Sequence, residues 1–273
     1  MSPQSNARTL NDAGGRMLDV ERRQQMITFI EQQNGATVEE LSRHFEVSEA
    51  TVRRDIVQLS KRGLIARAYG GAAPKSHQHT QGFPEPPLFR RAALQADEKQ
   101  RIGLQAARHV SDGDTVIIAG GTTTSEMIPH LADRRKLTII TNTLNIAMRL
   151  AAFPHISVIV LGGMLRHSEL SMLGLLMEHA LENLRADKLF MGTPAIHVDY
   201  GFSADDMAEV HSDHVLMSVA REITVLADHT KFGRIATMRV APIKRVRRVI
   251  TDAAVHADDV KALQDHGVVV EVV

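Results

Sequence analysis

Cysteine is absent from the 273 residues, which excludes disulfides, thiolate zinc sites and cysteine nucleophiles and fits a reducing cytoplasm. Net charge is absent as well. The 32 basic residues balance 32 acidic ones, so the chain as a whole is no generic polyanion binder. No apolar run approaches the roughly 18 to 20 residues that span a membrane, and a soluble protein is expected, with its 44% hydrophobic content available for a large core. Residues 1–18 lack the apolar stretch of a signal peptide; they are rich in Asn, Ser, Gly and Arg and read as a disordered tail. No Gly-Lys pair follows a glycine-rich turn and no Gly-x-Ser-x-Gly elbow occurs, so neither a Walker loop nor a hydrolase triad has support. The 12 methionines are scattered and read as core filling.

What is present is organised around Ser48 to Arg62, an amphipathic helix with Val52, Ile56 and Leu59 on one face. Ala50, Arg54, Gln58 and Lys61 fall on the opposite face, flanked by Thr51 and Arg53. Such a helix suits the major groove, where Arg reaches guanine and Gln reaches adenine; taken alone it also fits a solvated surface helix. The neighbouring sequence favours the groove. Val20 to Gln33 reads as a first helix with Ile27 and Ile30 inward, ended by Asn34-Gly35. Thr37 and Glu40 form a capping box that opens a short second helix with Val38, Leu41 and Phe45 inward. Glu46-Val47 is a tight turn and Ser48 caps the third helix, which makes a helix-turn-helix.

After Gly63, placed for a left-handed helix end with Leu64 packing back on Leu59, residues 64–72 alternate weakly around Gly70-Gly71 and read as a two-stranded wing. Arg67 and Tyr69 are candidates for phosphate contact there. Charge follows the same division. From Asp19 to Val52, Arg22, Arg23 and Arg43 face seven carboxylates, whereas from Arg53 to Lys75 the sole acid is Asp55 among six basic residues, as a phosphate-contacting edge requires.

Glu21 to Ala73, with ERRQQMITFI, SEATVRRDI and RAYGGA, resembles the DNA-binding module of the DeoR family of bacterial transcriptional regulators. Thr51-Val52-Arg53-Arg54-Asp55 is the most specific part. Asp55 itself has two readings: it orients a neighbouring Arg, or it forms a surface ion pair worth under ~1 kcal/mol.

Pro74 to Leu94 holds Pro84, Pro86 and Pro87 and no sustained period, and residues 74–95 read as a linker. His77 and His79 lie in it without a companion cluster, so a solvated loop is preferred to a metal site. From Ala96 helices and short β-branched strands alternate. Strands are expected at Thr115 to Ala119, Leu137 to Thr141, Ile156 to Gly162, Lys188 to Gly192, Glu222 to Ala227, Arg248 to Asp252 and Val268 to Val273. The alternation implies an α/β domain with a mainly parallel sheet, whose ligands gather at the carboxyl ends of the strands. Gly120-Gly121-Thr122-Thr123-Thr124-Ser125 lies at such an end and opens a helix, a setting for phosphate. From spacing alone an ordinary strand-to-helix turn is an equal reading.

Thr141-Asn142, Leu161-Gly162-Gly163, Asp199 to Phe202 and Ala227 to Gly233 resemble successive motifs of the DeoR effector domain, a fold similar to ribose-5-phosphate isomerase. The resemblance implies that a phosphorylated sugar or related metabolite binds there and alters operator affinity. By it Gly120, Gly121, Thr122, Thr123 and Thr124 hold phosphate, Asn142, Gly163 and Gly201 line the pocket, Lys231 supplies a cation, and Asp228 accepts from a hydroxyl or positions Lys231. The family usually has Asp where this chain has Ala119. That departure leaves room for a ligand with a second anionic group, unless Asp205, Asp206 or Glu209 supplies the lost acceptor. His211 and His214 flank Asp213 on a helix, a metal half-site without a second half.

The expected architecture is therefore a tail at 1–18, a winged helix-turn-helix at 19–73, a linker at 74–95 and an α/β sensing domain at 96–273. The expected function is a cytoplasmic, sequence-specific repressor of a carbohydrate-catabolism operon, not an enzyme. It would bind double-stranded operator DNA through Ser48, Thr51, Arg53, Arg54, Gln58, Lys61, Arg67 and Tyr69, without cofactor, metal or membrane. The effector would be a phosphorylated sugar or sugar acid. A homodimer or homotetramer is expected, because one recognition helix covers about one half-site. The alternative is a sugar-phosphate isomerase with an accessory DNA-binding module, using Lys231 and Asp228 as acid and base.

Overall fold

The computed structural model describes residues 19–33, 35–61, 64–68, 71–74 and 88–273, in two compact units, Met1–His79 and Thr80–Val273. The tail at 1–18, Asn34, Arg62, Gly63, Tyr69, Gly70 and the linker stretch 75–87 with His77 and His79 lie outside the described residues, as do the side chains of Arg67 and its strand neighbours.

In the first unit, helix α1 (Asp19–Gln32) leads through the short strand β1 (Ala36–Thr37) into α2 (Val38–His44) and α3 (Glu49–Lys61). Strands β2 (Ile65–Ala68) and β3 (Gly71–Pro74) follow and pair antiparallel, with β1 on the free edge of β3. The wing thus carries a third strand that the sequence pattern did not reveal. Added at Gly71, a Cβ would lie 2.1 Å from the Ala36 carbonyl oxygen, so only glycine lets β1 and β3 approach.

The local signals read from the sequence hold. Thr37 Oγ1 accepts from the Glu40 amide at 3.2 Å while Glu40 Oε2 accepts from the Thr37 amide at 2.8 Å. The Thr51 amide donates to Ser48 Oγ at 3.3 Å, capping α3. Leu64 N donates to Leu59 O at 3.0 Å, the six-to-one bond of a Schellman ending, although the Leu64 side chain stays exposed. Ile27, Ile30, Val38, Leu41, Val52, Ile56 and Leu59 form one core with Met26, and Phe45 packs against it.

Asp55 departs from both sequence readings. It is 1% exposed and turned into the unit, where it accepts from Arg22 Nε at 2.9 Å and Arg23 Nε at 2.7 Å. It therefore ties α3 to α1 and orients neither Arg53 nor Arg54.

The second unit begins with α4 (Leu88–Ala93), a helix inside the stretch read as linker, and α5 (Ala96–Ala107). Then come β4 (Thr115–Ile118), α6 (Thr122–Ser125), β5 (Thr138–Thr141), α7 (Leu144–Leu150) and β6 (Ser157–Val160). A hairpin of β7 (Met164–Arg166) and β8 (Ser171–Leu173) precedes α8 (Leu175–Glu182), β9 (Ala186–Met191), β10 (Ala195–His197) and β11 (Gly201–Ala204). The chain continues with α9 (Met207–Val219), β12 (Ala220–Leu226), β13 (Met238–Ala241), β14 (Arg248–Thr251), α10 (Ala257–Asp265) and β15 (Val269–Val272).

Seven strands form one parallel sheet in the order β15-β14-β12-β9-β4-β5-β6. They are the seven expected from the sequence. In the five inner strands alternation divides the side chains between two cores: Ile117, Ile140, Leu189, Val225 and Val249 on one face, and Val116, Ile118, Ile139, Phe190, Leu226 and Ile250 on the other, while the edge strands β6 and β15 are more exposed. Helix α9 covers the first face through Val210 and Leu216, and α5 the second through Ile102 and Ala106. Burial on both faces explains why these strands read as near-continuous apolar runs. The antiparallel sheet β10-β11-β13 is additional.

Removing Asp55 takes away the buried carboxylate that both Arg22, 7% exposed, and Arg23 donate to. Asp55→Ala is expected to destabilise the first unit by about 3 to 5 kcal/mol, measured by denaturant unfolding; a loss under about 1 kcal/mol, typical of a surface pair, would contradict the burial.

Candidate nucleic-acid interface and ligand cavity

The outer face of α3 carries Ala50, Arg53, Arg54, Gln58 and Lys61, all exposed. Arg53 pairs with Glu49 one turn earlier at 2.8 Å; both are solvated, so the pair is weak and exchangeable for a phosphate. Arg54 makes a long contact, 3.3 Å, with the Ala50 carbonyl. Ser48 and Thr51 hydroxyls meet at 2.9 Å, so these two residues order the start of the helix as well as lying at its exposed edge. Six of the eight sequence-chosen interface residues are thus brought together on or beside one helix face. The Arg67 side chain and Tyr69 are outside the described residues.

The second unit has a cavity of about 350 Å³ at the carboxyl ends of four neighbouring strands. Asp228, Thr230 and Lys231 follow β12, Gly192 and Thr193 follow β9, Gly120 to Thr123 follow β4, and Asn142 follows β5. Three strand spacings make this row about 14 Å long. Gly121 has φ 147°, and a Cβ on Gly120 would lie 2.8 Å from Thr143 Cγ2, so glycine is what fits the β4 loop between its neighbours. The first amides of the short helix α6 have no intrahelical acceptor and remain available.

Of the ten residues assigned to a ligand from the sequence, Gly120, Gly121, Thr122, Thr123, Asn142, Asp228 and Lys231 line this cavity. Thr124, Gly163 and Gly201 do not. Thr124 is fully buried and its hydroxyl reaches the Ala119 and Gly121 carbonyls at 2.9 and 3.0 Å, fastening the loop from behind. At Gly163 (φ 153°) a Cβ would stand 2.5 Å from the Leu173 carbonyl oxygen, and at Gly201 (φ 98°) 2.2 Å from that of Ala241; both glycines serve close backbone approach.

Asp228 is 2% exposed and accepts from the amide, at 3.0 Å, and the hydroxyl of Thr230. Asp252 accepts from the His229 amide at 2.7 Å and meets its Nδ1 at 2.9 Å. Two buried carboxylates thereby fix the turn that carries Lys231.

Other lining groups were not assigned to this cavity from the sequence, apart from Glu209 as a possible acceptor. Lys99 of α5, 5% exposed, donates to the carbonyls of Arg91 and Leu94. Burial lowers its pKa, opposed by Asp228 and assisted by Lys231 and Arg91. Arg91 of α4 pairs with Glu169 from the hairpin turn. Glu209 and Asp213, one turn apart on α9, also line the cavity; Arg166 donates to Glu209 at 2.8 Å. Ala119 lies on the wall, 4% exposed. Of the three acids weighed against it, Glu209 reaches the cavity, whereas Asp206 caps α9 through the Glu209 amide and Asp205 accepts from Thr237.

The two histidines beside Asp213 diverge, His211 to Glu178 at 3.1 Å and His214 to the Val240 carbonyl at 2.7 Å. Among the described residues no three His, Asp or Glu side chains cluster to hold a metal.

Burial pushes the Asp213 carboxyl well above its ordinary value of 3.8; Glu209 adds to the rise and Arg166 opposes it. A carboxyl raised on folding costs stability as pH climbs through the interval between its unfolded and folded values. Asp213→Asn should therefore gain thermal stability relative to the unmodified protein as pH rises from about 4 towards neutrality. Parallel melting-temperature curves across that range would contradict it.

The comparisons with known proteins agree with this geometry. A family model for the DeoR-like helix-turn-helix domain matches residues 22–78, and one for the DeoR C terminal sensor domain matches residues 94–253. The glycerol-3-phosphate regulon repressor of Escherichia coli (strain K12) is 32% identical over 256 residues, 93% of this chain and 99% of that protein. The HTH-type transcriptional regulators GolR of Listeria innocua and IolR of Bacillus subtilis are each 30% identical, covering 94% and 90% of this chain and 99% and 96% of their own lengths. Among solved structures, ribose 5-phosphate isomerase A of Methanocaldococcus jannaschii aligns over 50% of this chain and 55% of its own, with 16% identity and a TM-score of 0.38, too distant a likeness to bear on chemistry. With a DNA-reading helix in one unit, a cavity at the strand ends of the other and a family match in each, the chain belongs to the DeoR family of transcriptional regulators.

Proposed function

We propose that this protein is a sequence-specific repressor of a carbohydrate-catabolism operon, released from or retained on its operator according to a phosphorylated sugar or sugar acid held in the second unit. The observation that carries the reading is the cavity beside the Gly120–Thr123 loop. There, the Gly120–Thr123 loop after β4 and the turn after β12 that carries Lys231 line the same cavity, and backbone amides, threonine hydroxyls and an ammonium are the groups that stabilise a phosphate dianion. About 350 Å³ suits a small metabolite. The relatives named above are regulators, one of a glycerol-3-phosphate regulon, which supports a phosphorylated ligand over a neutral one.

On the DNA side, α3 enters the major groove with Arg54 and Gln58 reaching base edges, while Arg53, Lys61 and the wing residues Arg67 and Tyr69 contact phosphates. A homodimer or homotetramer in the cytoplasm reads two or more half-sites. The isomerase alternative has weaker support, because the relatives named above are regulators and Ala119 removes one carboxylate that could abstract a proton beside the Gly120–Thr123 loop.

Two measurements test this reading. Arg54→Ala should lower affinity for the operator by about 1 to 3 kcal/mol at moderate salt with an unchanged unfolding midpoint; undiminished binding would remove Arg54 from the interface. Thr123→Val and Lys231→Ala should each leave ligand-free DNA binding intact while abolishing the response to the effector. A variant that still responds at the original effector concentration would place the phosphate elsewhere.

A further inference from the structure

Four residues of the cavity wall, Arg91, Leu94, Gln95 and Lys99, belong to α4, the start of α5 and the corner between them. Helix α4 is the first described element of the second unit, so the chain from the first unit arrives through it. It is six residues long, too short to stand alone in water. Among its described side chains Leu88 is the buried apolar anchor, while Ala92 and Ala93 are exposed, as is Leu94 beyond them. Its place therefore depends on what else fastens it, and those fastenings are polar. Lys99 Nζ donates to the Arg91 carbonyl and, at 2.5 Å, to the Leu94 carbonyl, and the Arg91 guanidinium pairs with Glu169. At the corner Gln95 is left-handed, with φ 48° and ψ 44°, a conformation unfavourable to a long side chain and kept only where the surroundings impose it. Helix α4 also packs against α6, the helix that the Gly120–Thr123 loop opens.

We propose that α4 is a strap whose docking is linked to occupancy of the cavity by an anion, with Lys99 as the positioning residue that couples the two. This rests on the phosphate-sensing reading of the same cavity and adds its regulation. Lys99 is 5% exposed, and the partners that hold its ammonium are neutral carbonyls. Burial lowers its pKa; Lys231 and Arg91 add to the fall, and Asp228 and Glu126 oppose it. An anion in the cavity supplies counter-charge to Lys99, Lys231 and Arg91 together only while the strap is docked. Undocking carries Arg91 off the wall and takes the Arg91 and Leu94 carbonyls from Lys99. A bound anion thus has a higher affinity for the docked arrangement and shifts α4 towards it. By the same linkage a firmly docked α4 tightens anion binding. The strap lies where the chain leaves for the first unit, so its docking sets how freely that chain can move.

The test reads amide hydrogen exchange along the full chain, with inorganic phosphate as the probe against sodium chloride of equal ionic strength. Phosphate should slow exchange in residues 120–124 and also in residues 88–95, the latter at least about threefold. Lys99→Met should speed exchange of residues 88–95 at least about threefold without phosphate and abolish their response to it, while residues 120–124 still respond. A lysine that merely supported the fold would loosen β4 and β9 as well. Glu169→Gln releases Arg91 from the hairpin side and should also speed residues 88–95, which keeps the strap testable if Lys99→Met fails to fold. Three results overturn the strap while leaving phosphate sensing in place: phosphate slows 120–124 alone, Lys99→Met keeps the response of 88–95, or a folded variant exchanges there as slowly as the unmodified protein. If phosphate slows neither segment, the phosphate-sensing reading falls and the strap with it.

Discussion

Parallel strands need crossovers, and crossovers cover both faces of the sheet. In this second unit that constraint leaves little room for polar chemistry between β15 and β6 except at the strand ends, because the side chains of successive residues in β4, β5, β9, β12 and β14 enter one apolar core or the other. The loops after β12, β9, β4 and β5 therefore inherit the glycines, threonines, Asn142, Asp228 and Lys231. Their order in the sheet, not in the chain, decides which of these groups become neighbours. The Gly120–Thr123 loop after β4 stands in the middle of the row, with the Lys231 turn on one side and Asn142 on the other.

The first unit is small and solves a different problem. Among the described residues its core is eleven buried apolar side chains, so the relative placement of α1 and α3 gains from a directional contact as well as from burial. Asp55 provides it by accepting from Arg22 and Arg23. Such a buried pair adds little net stability compared with an apolar replacement, yet it penalises any packing that separates the partners. The consequence for DNA reading is geometric. With Asp55 turned inward and bound to α1, Arg53 and Arg54 keep their guanidinium groups on the solvent side of α3, where base edges and phosphates can be reached.

Much of this was legible in the sequence, and the residues show why the rest was not. The Val52, Ile56, Leu59 stripe, the Thr37–Glu40 box and the seven β-branched strands depend on neighbours within a few positions, and each is found. The fate of Asp55 depended on partners 33 and 32 residues away. A local sign of it existed, since Asp55 falls about 40° from Leu59 on the helical wheel at 100° per residue, inside the buried sector. Lys99, Arg91 and Glu169 reach the cavity from α5, α4 and a hairpin turn, and nothing in their own segments marks them; Asp213 of α9 drew notice only as the residue between His211 and His214, in a metal half-site rather than a cavity wall. Conversely, Thr124, Gly163 and Gly201 belong to motif stretches and still serve the backbone, because a glycine needed for a carbonyl's approach looks the same in sequence as one needed for a ligand's.

If the cavity takes a phosphorylated ligand, as proposed, its lining also bears on which way round that ligand lies. A phosphate placed on the β5 side would stand beside Glu209 and Asp213. At about 5 Å and an effective dielectric near 20, one ionised carboxylate there contributes roughly 3 kcal/mol of repulsion per phosphate charge before Arg166 offsets it, more than a surface hydrogen bond returns. Placed at the Gly120–Thr123 loop, the same phosphate meets amides, hydroxyls and Lys231. Orientation is therefore set by repulsion at one end as much as by attraction at the other.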